Sequence, residues 1–283
     1  MLKRIITSIV ALIIFIPILV FSNTWLFPAA MSICAVIGIF EMLGCIGQRK
    51  NLFITLPLCG VAAFFPLYFR YEYITGHGVY GAFTLSLSII FIMALYVFGV
   101  AVFANKSFPA NDCGLVIATS IYIISAFTAL VYIRDFIKGG EYIYLLTFIG
   151  AWMTDIFAYF TGRFLGKHKL IPTVSPKKTV EGAIGGIVFC IGATVGFGFV
   201  VETFFNPEGI IHANYLVLAV SGLFISVVSQ IGDLVMSLIK RLYNIKDYGK
   251  LFPGHGGILD RFDSVIAVTL ILAFITTYFN LLA

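Results

Sequence analysis

The sequence predicts an all-α protein: a polytopic helical membrane protein of about nine transmembrane helices, with its N-terminus cytoplasmic. Three observations carry that expectation. First, 60% of the 283 residues are hydrophobic, only 11% are charged, and the mean hydropathy is +1.05, whereas a soluble domain carries about a quarter charged residues. Second, the apolar residues come in continuous runs of about 18–25, long enough for a helix to cross a hydrocarbon core. Barrel strands would instead alternate over roughly 10 residues. Third, with the N-terminus inside, every Lys and Arg of the 18 except Arg70, Arg134 and Lys138 falls on the cytoplasmic side, the bias that orients helical membrane proteins. The net charge of +5 reads as the same bias and not as a nucleic-acid surface.

Taken in order, the candidate spans are 5–22, 26–46, 52–69, 80–104, 112–133, 141–161, 180–200, 213–240 and 264–282. The first, after Lys3-Arg4, begins as a secretory signal would. No A-x-A-like cleavage site follows and further spans come at once, so it reads as a retained helix. Glu41 is the one acid well inside an early span, and reads as a cap or ion-pair partner near the cytoplasmic face. Cys34, Cys45, Cys59, Cys113 and Cys190 are far apart, in apolar runs or at their edges, and read as small packing residues. The chain divides into an N-terminal set of helices, 1–140, joined by short plain connections, and a region 141–283 with two long polar cytoplasmic loops, 162–179 and 241–263. No internal repeat is apparent, which argues against a transporter built from repeats.

Chemistry concentrates in three stretches of the second region. Asp155, Tyr159 and Gly162-Arg163 follow helical spacing and share a face, either as a buried Asp–Arg lock or as a polar wall of a site. Ser175-Pro176-Lys177-Lys178-Thr179-Val180-Glu181-Gly182 puts two lysines just before a helix N-terminus, a natural anion site. Gly182, Gly185 and Gly186 predict close helix packing. The third stretch, Ser229 to Ser264, is dense in charge between apolar runs, and ionisable groups at membrane depth mark sites. Ser226, Ser229, Asp233, Ser237 and Lys240-Arg241 form one polar stripe, followed by Lys246, Asp247, the loop Pro253-Gly254-His255-Gly256-Gly257, and Asp260 and Asp263. Asp233, Asp260 and Asp263 suit one or two hard divalent cations. Bases and a Gly-rich loop suit phosphates. No second His or Cys supports His255 as a zinc ligand, so it reads as a phosphate contact. From spacing alone the chain is either a metal-dependent phosphoryl or nucleotidyl transferase acting on a lipid, or an ion or anion transporter.

The segment Ser237-x-Ile239-Lys240-Arg241-x4-Lys246-Asp247-x-Gly249-x2-Phe252-Pro253-x-His255-Gly256-Gly257-Ile258-x-Asp260-Arg261-Phe262-Asp263 resembles, without departure over 27 positions, the signature of bacterial phosphatidate cytidylyltransferases, also called CDP-diacylglycerol synthases. The segments at Asp155 to Arg163 and Ser175 to Gly182 are similar to that family too, while residues 1–140 match only in length and hydropathy. The resemblance implies transfer of the cytidylyl group of CTP to phosphatidate in phospholipid biosynthesis, Mg²⁺ as cofactor with a metal pair at Asp233 and Asp260, and a multi-pass homodimer. It also implies residence in the cell's inner membrane with the site facing the cytoplasm, and gives residues 1–140 the role of scaffold and dimerisation region. On this reading Asp233, Asp260, Asp263 and Lys240 are catalytic. Lys177, Lys178, Arg241 and Lys246 hold phosphates, and Ser175, Asp155 and His255 bind substrate.

Overall fold

A computed structural model of the chain describes residues 2–104, 106–206, 209 and 211–282, with side chains from residue 6 onward. The side chains of Lys3 and Arg4, which flank the first expected span, and Ala283 at the C-terminus lie outside the described residues. Ten helices and one small hairpin follow in order among these: α1 (Leu2–Val20), α2 (Leu26–Ile46), α3 (Leu52–Thr75), α4 (Val79–Phe103), α5 (Ala110–Phe136), the single turn α6 (Gly140–Ile143), α7 (Leu145–Leu165), β1 (Lys169–Ile171), β2 (Ser175–Thr179), α8 (Val180–Phe204), α9 (Tyr215–Leu242) and α10 (Leu259–Tyr278). All nine expected spans are long helices. Among the described residues seven, from α2 through α9 with α6 and α7 as one, are long and apolar enough to cross a membrane. Within the described side chains of α1 the apolar stretch Ile6–Val20 is shorter, and α10 gives its first turns to Asp260, Arg261 and Asp263.

Several helices outrun their apolar stretches, and α3 shows why. Its span is expected to stop at Phe69, before Arg70. Instead Arg70 is only 7% exposed and donates from Nη1 to Asp135 Oδ1 at 2.7 Å, and also to the Asn23 carbonyl. A guanidinium paired with a carboxylate and a carbonyl does not force an end, so α3 continues to Thr75, where Gly76 at φ +71° stops it.

The chain forms two compact units. The first comprises Met1–Asp135 and Tyr243–Phe262, the second Phe136–Leu242 and Asp263–Ala283. In the first, α2 packs on α3, and Phe27, Met31, Ile39, Ile54, Leu58, Phe65 and Phe127 are buried. Gly38 on α2 lets Ile123 and Leu259 approach. In the second, α7, α8 and α9 pack on one another. The glycines of α8 have the close contacts their spacing predicts: a Cβ on Gly182 would strike the Ala158 carbonyl, one on Gly185 the Thr161 side chain, and one on Gly186 the Thr154 carbonyl. Large apolar residues such as Phe91, Leu95 and Phe103 on α4 remain exposed, as surfaces facing lipid do.

The loop 162–179 is not irregular throughout. α7 carries it to Leu165, and β1 and β2 then pair antiparallel, with Lys169 opposite Thr179 and Ile171 opposite Ser175. Thr179 caps α8, its Oγ1 accepting from Gly182 N at 3.1 Å. Glu181 in the first turn of α8 accepts from the backbone N–H groups of Lys167 and His168 and pairs with the His168 ring at 2.6 Å, so the hairpin is tied to the helix start.

Candidate active site

The second unit gathers acids and bases from four elements. Asp155 comes from α7, Lys178 from β2, Asp233, Ser237 and Lys240 from α9, and Asp263 and Ser264 from α10. Lys178 Nζ lies 2.5 Å from Asp233 Oδ2, and Ser237 one turn on donates to Asp233 Oδ1 at 3.4 Å. Ser264 ties two acids together: its hydroxyl donates to Asp155 Oδ2 at 3.1 Å, and its N–H donates to Asp263 Oδ1 at 2.9 Å. Asp263, just ahead of the apolar run 264–282, is pushed up to about 7, first by burial and then by the Asp233 charge. Asp155 adds to the rise and Lys240 opposes it. Three carboxylates against two ammonium groups therefore leave the cluster short of positive charge.

The donor chemistry fits a hard cation, because every ligand on offer is an oxygen. The Ser229 hydroxyl, one turn from Asp233 on α9, is fully buried and has no hydrogen-bond partner. Among the described residues no group of three or more His, Cys, Asp and Glu side chains is drawn tightly enough to hold a metal ion, and the Lys178 ammonium supplies the charge nearest Asp233. A magnesium site does not require three protein carboxylates, since one or two with substrate phosphates and water suffice.

The remaining bases of this unit lie on the same elements. Arg241 is exposed beside Lys240 in the last turn of α9, where cations complement the helix dipole. Lys177 is exposed and Ser175 half-buried on β2. Arg163 donates to the Tyr159 hydroxyl at 3.0 Å, and Asp155 bonds to Ser264. The three therefore lie along α7 as their spacing predicts, with Asp155 turned to the acid cluster.

The first unit holds the glycine-rich loop. Its closing bonds run from Phe252 N to the Gly256 carbonyl and from His255 N to the Phe252 carbonyl, each 2.8 Å. Gly254 and Gly256 have φ of +81° and +88°, backbone conformations that favour glycine. Asp260, 8% exposed, braces the loop by accepting from Tyr248 N at 2.8 Å and Gly257 N at 2.9 Å through Oδ2. This bracing role was not legible in the sequence, which marked Asp260 as a metal ligand. Glu41 acts as the expected cap: its buried carboxylate accepts from Ile258 N at 3.1 Å and Leu259 N at 2.9 Å at the start of α10. Gly249 and Gly257 leave room for it, since a Cβ on either would overlap the carboxylate. Beside the loop opens a cavity of about 730 Å³ lined by Lys246, Asp247, Lys250, His255 and Arg261 among others. Sequence reasoning missed Thr7 and Ser8 of α1, which bond to the Pro253 carbonyl and the His255 ring. No pattern marks a contact between residues nearly 250 apart.

The model of the cytidylyltransferase family matches residues 2–279. The phosphatidate cytidylyltransferase of Bacillus subtilis (strain 168) is 34% identical over 283 residues, covering 98% of each chain. That of Staphylococcus haemolyticus (strain JCSC1435) is 33% identical over 266 residues, 94% of this chain and 95% of the relative. That of Staphylococcus aureus (strain COL) is 33% identical over 265 residues, 94% of this chain and 95% of the relative.

Proposed function

Because the chain belongs to the cytidylyltransferase family, we propose that it transfers the cytidylyl group of CTP to phosphatidate, giving CDP-diacylglycerol and pyrophosphate. The observation that carries this reading is the convergence of Asp155, Asp233 and Asp263 with Lys178 and Lys240 in one unit. A phosphate monoester is already a nucleophile, so no Ser or Cys nucleophile is needed. A phosphatidate oxygen bonds to the CTP α-phosphorus, and the bond from that phosphorus to the bridging oxygen breaks, releasing pyrophosphate. The protein's task is to hold two polyanions together and offset the charge that builds on the α-phosphate and the leaving group.

We assign the cation-ligand role to Asp233 and Asp263, and the loop-bracing role to Asp260. Asp233 and Asp263 would hold a Mg²⁺ ion, whose chemistry is to offset phosphate charge. Lys178 and Lys240 hold phosphate oxygens from the hairpin and the end of α9, with Lys177 and Arg241 as outer contacts and Ser175 as a hydrogen-bond donor. Lys246 and His255 bind phosphate at the glycine-rich loop. Asp155 orients Ser264 and through it Asp263. The distribution of Lys and Arg supports a cytoplasmic site in the inner membrane, and the family resemblance supports a homodimer.

The test uses purified protein in mixed micelles with CTP labelled in the cytosine ring. Organic-phase label that requires both phosphatidate and Mg²⁺ is the expected result. No transfer to any lipid phosphate by folded protein would overturn the reading.

A further inference from the structure

The stretch Ile6–Val20 of α1 contains one polar pair, Thr7-Ser8. Most residues around it are apolar and exposed, including Ile6, Ile9, Val10 and Ile13. Polar groups on such a helix are satisfied by bonding to a neighbour, and both of these turn to the glycine-rich loop. Thr7 Oγ1 donates to the Pro253 carbonyl at 3.2 Å, and Ser8 Oγ lies 3.4 Å from His255 Nε2. The loop they meet is fixed by its own bonds and by Asp260. The other ring nitrogen, His255 Nδ1, is buried and has no hydrogen-bond partner. A buried polar atom without a partner is costly, and this ring lines a cavity that Lys246, Lys250 and Arg261 make basic.

We propose that α1 forms part of the phosphate-binding pocket and that Ser8 is a positioning residue for His255. This deepens the transferase reading and rests on it. The Ser8 hydroxyl donates to Nε2, which leaves the imidazole hydrogen on Nδ1. The ring then offers that N–H to an oxygen of a phosphate ester, beside the lysines and the arginine. The ester's source is either the triphosphate of the nucleotide or the headgroup of the lipid, and both present the same oxygens. Thr7 holds the backbone at Pro253, so that the first helix and the loop move together.

The experiment measures ligand-induced thermal stabilisation of the full-length protein in detergent. One arm uses inorganic tripolyphosphate, the other a short-chain phosphatidic acid. Wild type, Ser8→Ala, Ser8→Thr, His255→Gln and the Ser8→Ala/His255→Gln double variant are compared. Loss of one hydrogen bond corresponds to roughly 3- to 10-fold weaker binding. The expected result is a loss of that size, in one arm, for Ser8→Ala and for His255→Gln, with no further loss in the double variant and recovery in Ser8→Thr. The arm that responds identifies the source of the phosphate. Unchanged affinity in both arms for Ser8→Ala, additive losses in the double variant, or no stabilisation of wild type by either ligand would overturn the proposal. Cytidylyl transfer is measured on the same preparations. Normal transfer with no effect at Ser8 refutes this inference alone, and absent transfer with the binding pattern intact refutes the transferase reading alone.

Discussion

Asp263→Asn separates the cost of the carboxylate cluster from its use. Asp263 titrates near 7 because it is buried beside Asp233, while an unfolded Asp titrates near 3.9. The folded protein therefore holds this proton more tightly than the unfolded chain. Its stability falls as pH rises from about 4 to 7 and is flat above. At about 1.4 kcal/mol per pH unit, the metal-free wild type at pH 8 carries a penalty of up to about 4 kcal/mol that the amide avoids. The assay is thermal unfolding in detergent with chelator at pH 5 and pH 8, together with cytidylyl transfer. The substitution is expected to raise the pH 8 midpoint by up to roughly 8–16 °C, to raise the pH 5 midpoint by about a third as much, and to lower transfer at least about 100-fold. An Asp263→Asn protein that unfolds at or below the wild-type temperature at pH 8, or that keeps near wild-type activity, would refute the reasoning.

Other perturbations probe the remaining parts. Lys178→Met removes the ammonium 2.5 Å from Asp233; the metal-free protein should unfold at a lower temperature, and the KM for CTP should rise about 10-fold, both read on one preparation. Gly257→Ala puts a Cβ into the Glu41 carboxylate, leaving the first N–H groups of α10 without their acceptor; a loss of about 2 kcal/mol is expected, and Glu41→Ala should cost about the same, measured by unfolding. Gly185→Leu should disrupt the α7–α8 contact at Thr161 and reduce the yield of folded protein, scored by size-exclusion profile. Chelation should abolish transfer and added Mg²⁺ should restore it, checked by titrating the metal back at fixed CTP.

What the sequence shows and hides follows from how far each signal reaches. The long helices are legible because each apolar run must satisfy its own backbone in lipid. The polar stripe on α9 and the close approach of α8 to α7 are legible because helical spacing is local. The end of α3 is not legible, since Arg70 is paired with Asp135, 65 residues on. Nor is the hairpin, whose first strand is three residues long and whose second begins Ser175-Pro176. Within the candidate site the residue types stand out in sequence but their partners do not. Lys178 and Asp233, Ser264 and Asp155, and Glu41 and Leu259 meet only through folding. Asp260 and Asp263 look equivalent three residues apart, yet one braces a loop while the other is buried within reach of the Asp233 charge.

The most direct measurement of the central claim follows two labels at once. CTP carrying one label in the cytosine ring and another on the γ-phosphate is incubated with phosphatidate, Mg²⁺ and purified protein. The account predicts ring label in the lipid and γ label in free pyrophosphate, in equal amounts. Transfer of the γ label to the lipid, with the ring label left in CDP, would show phosphoryl transfer and contradict it.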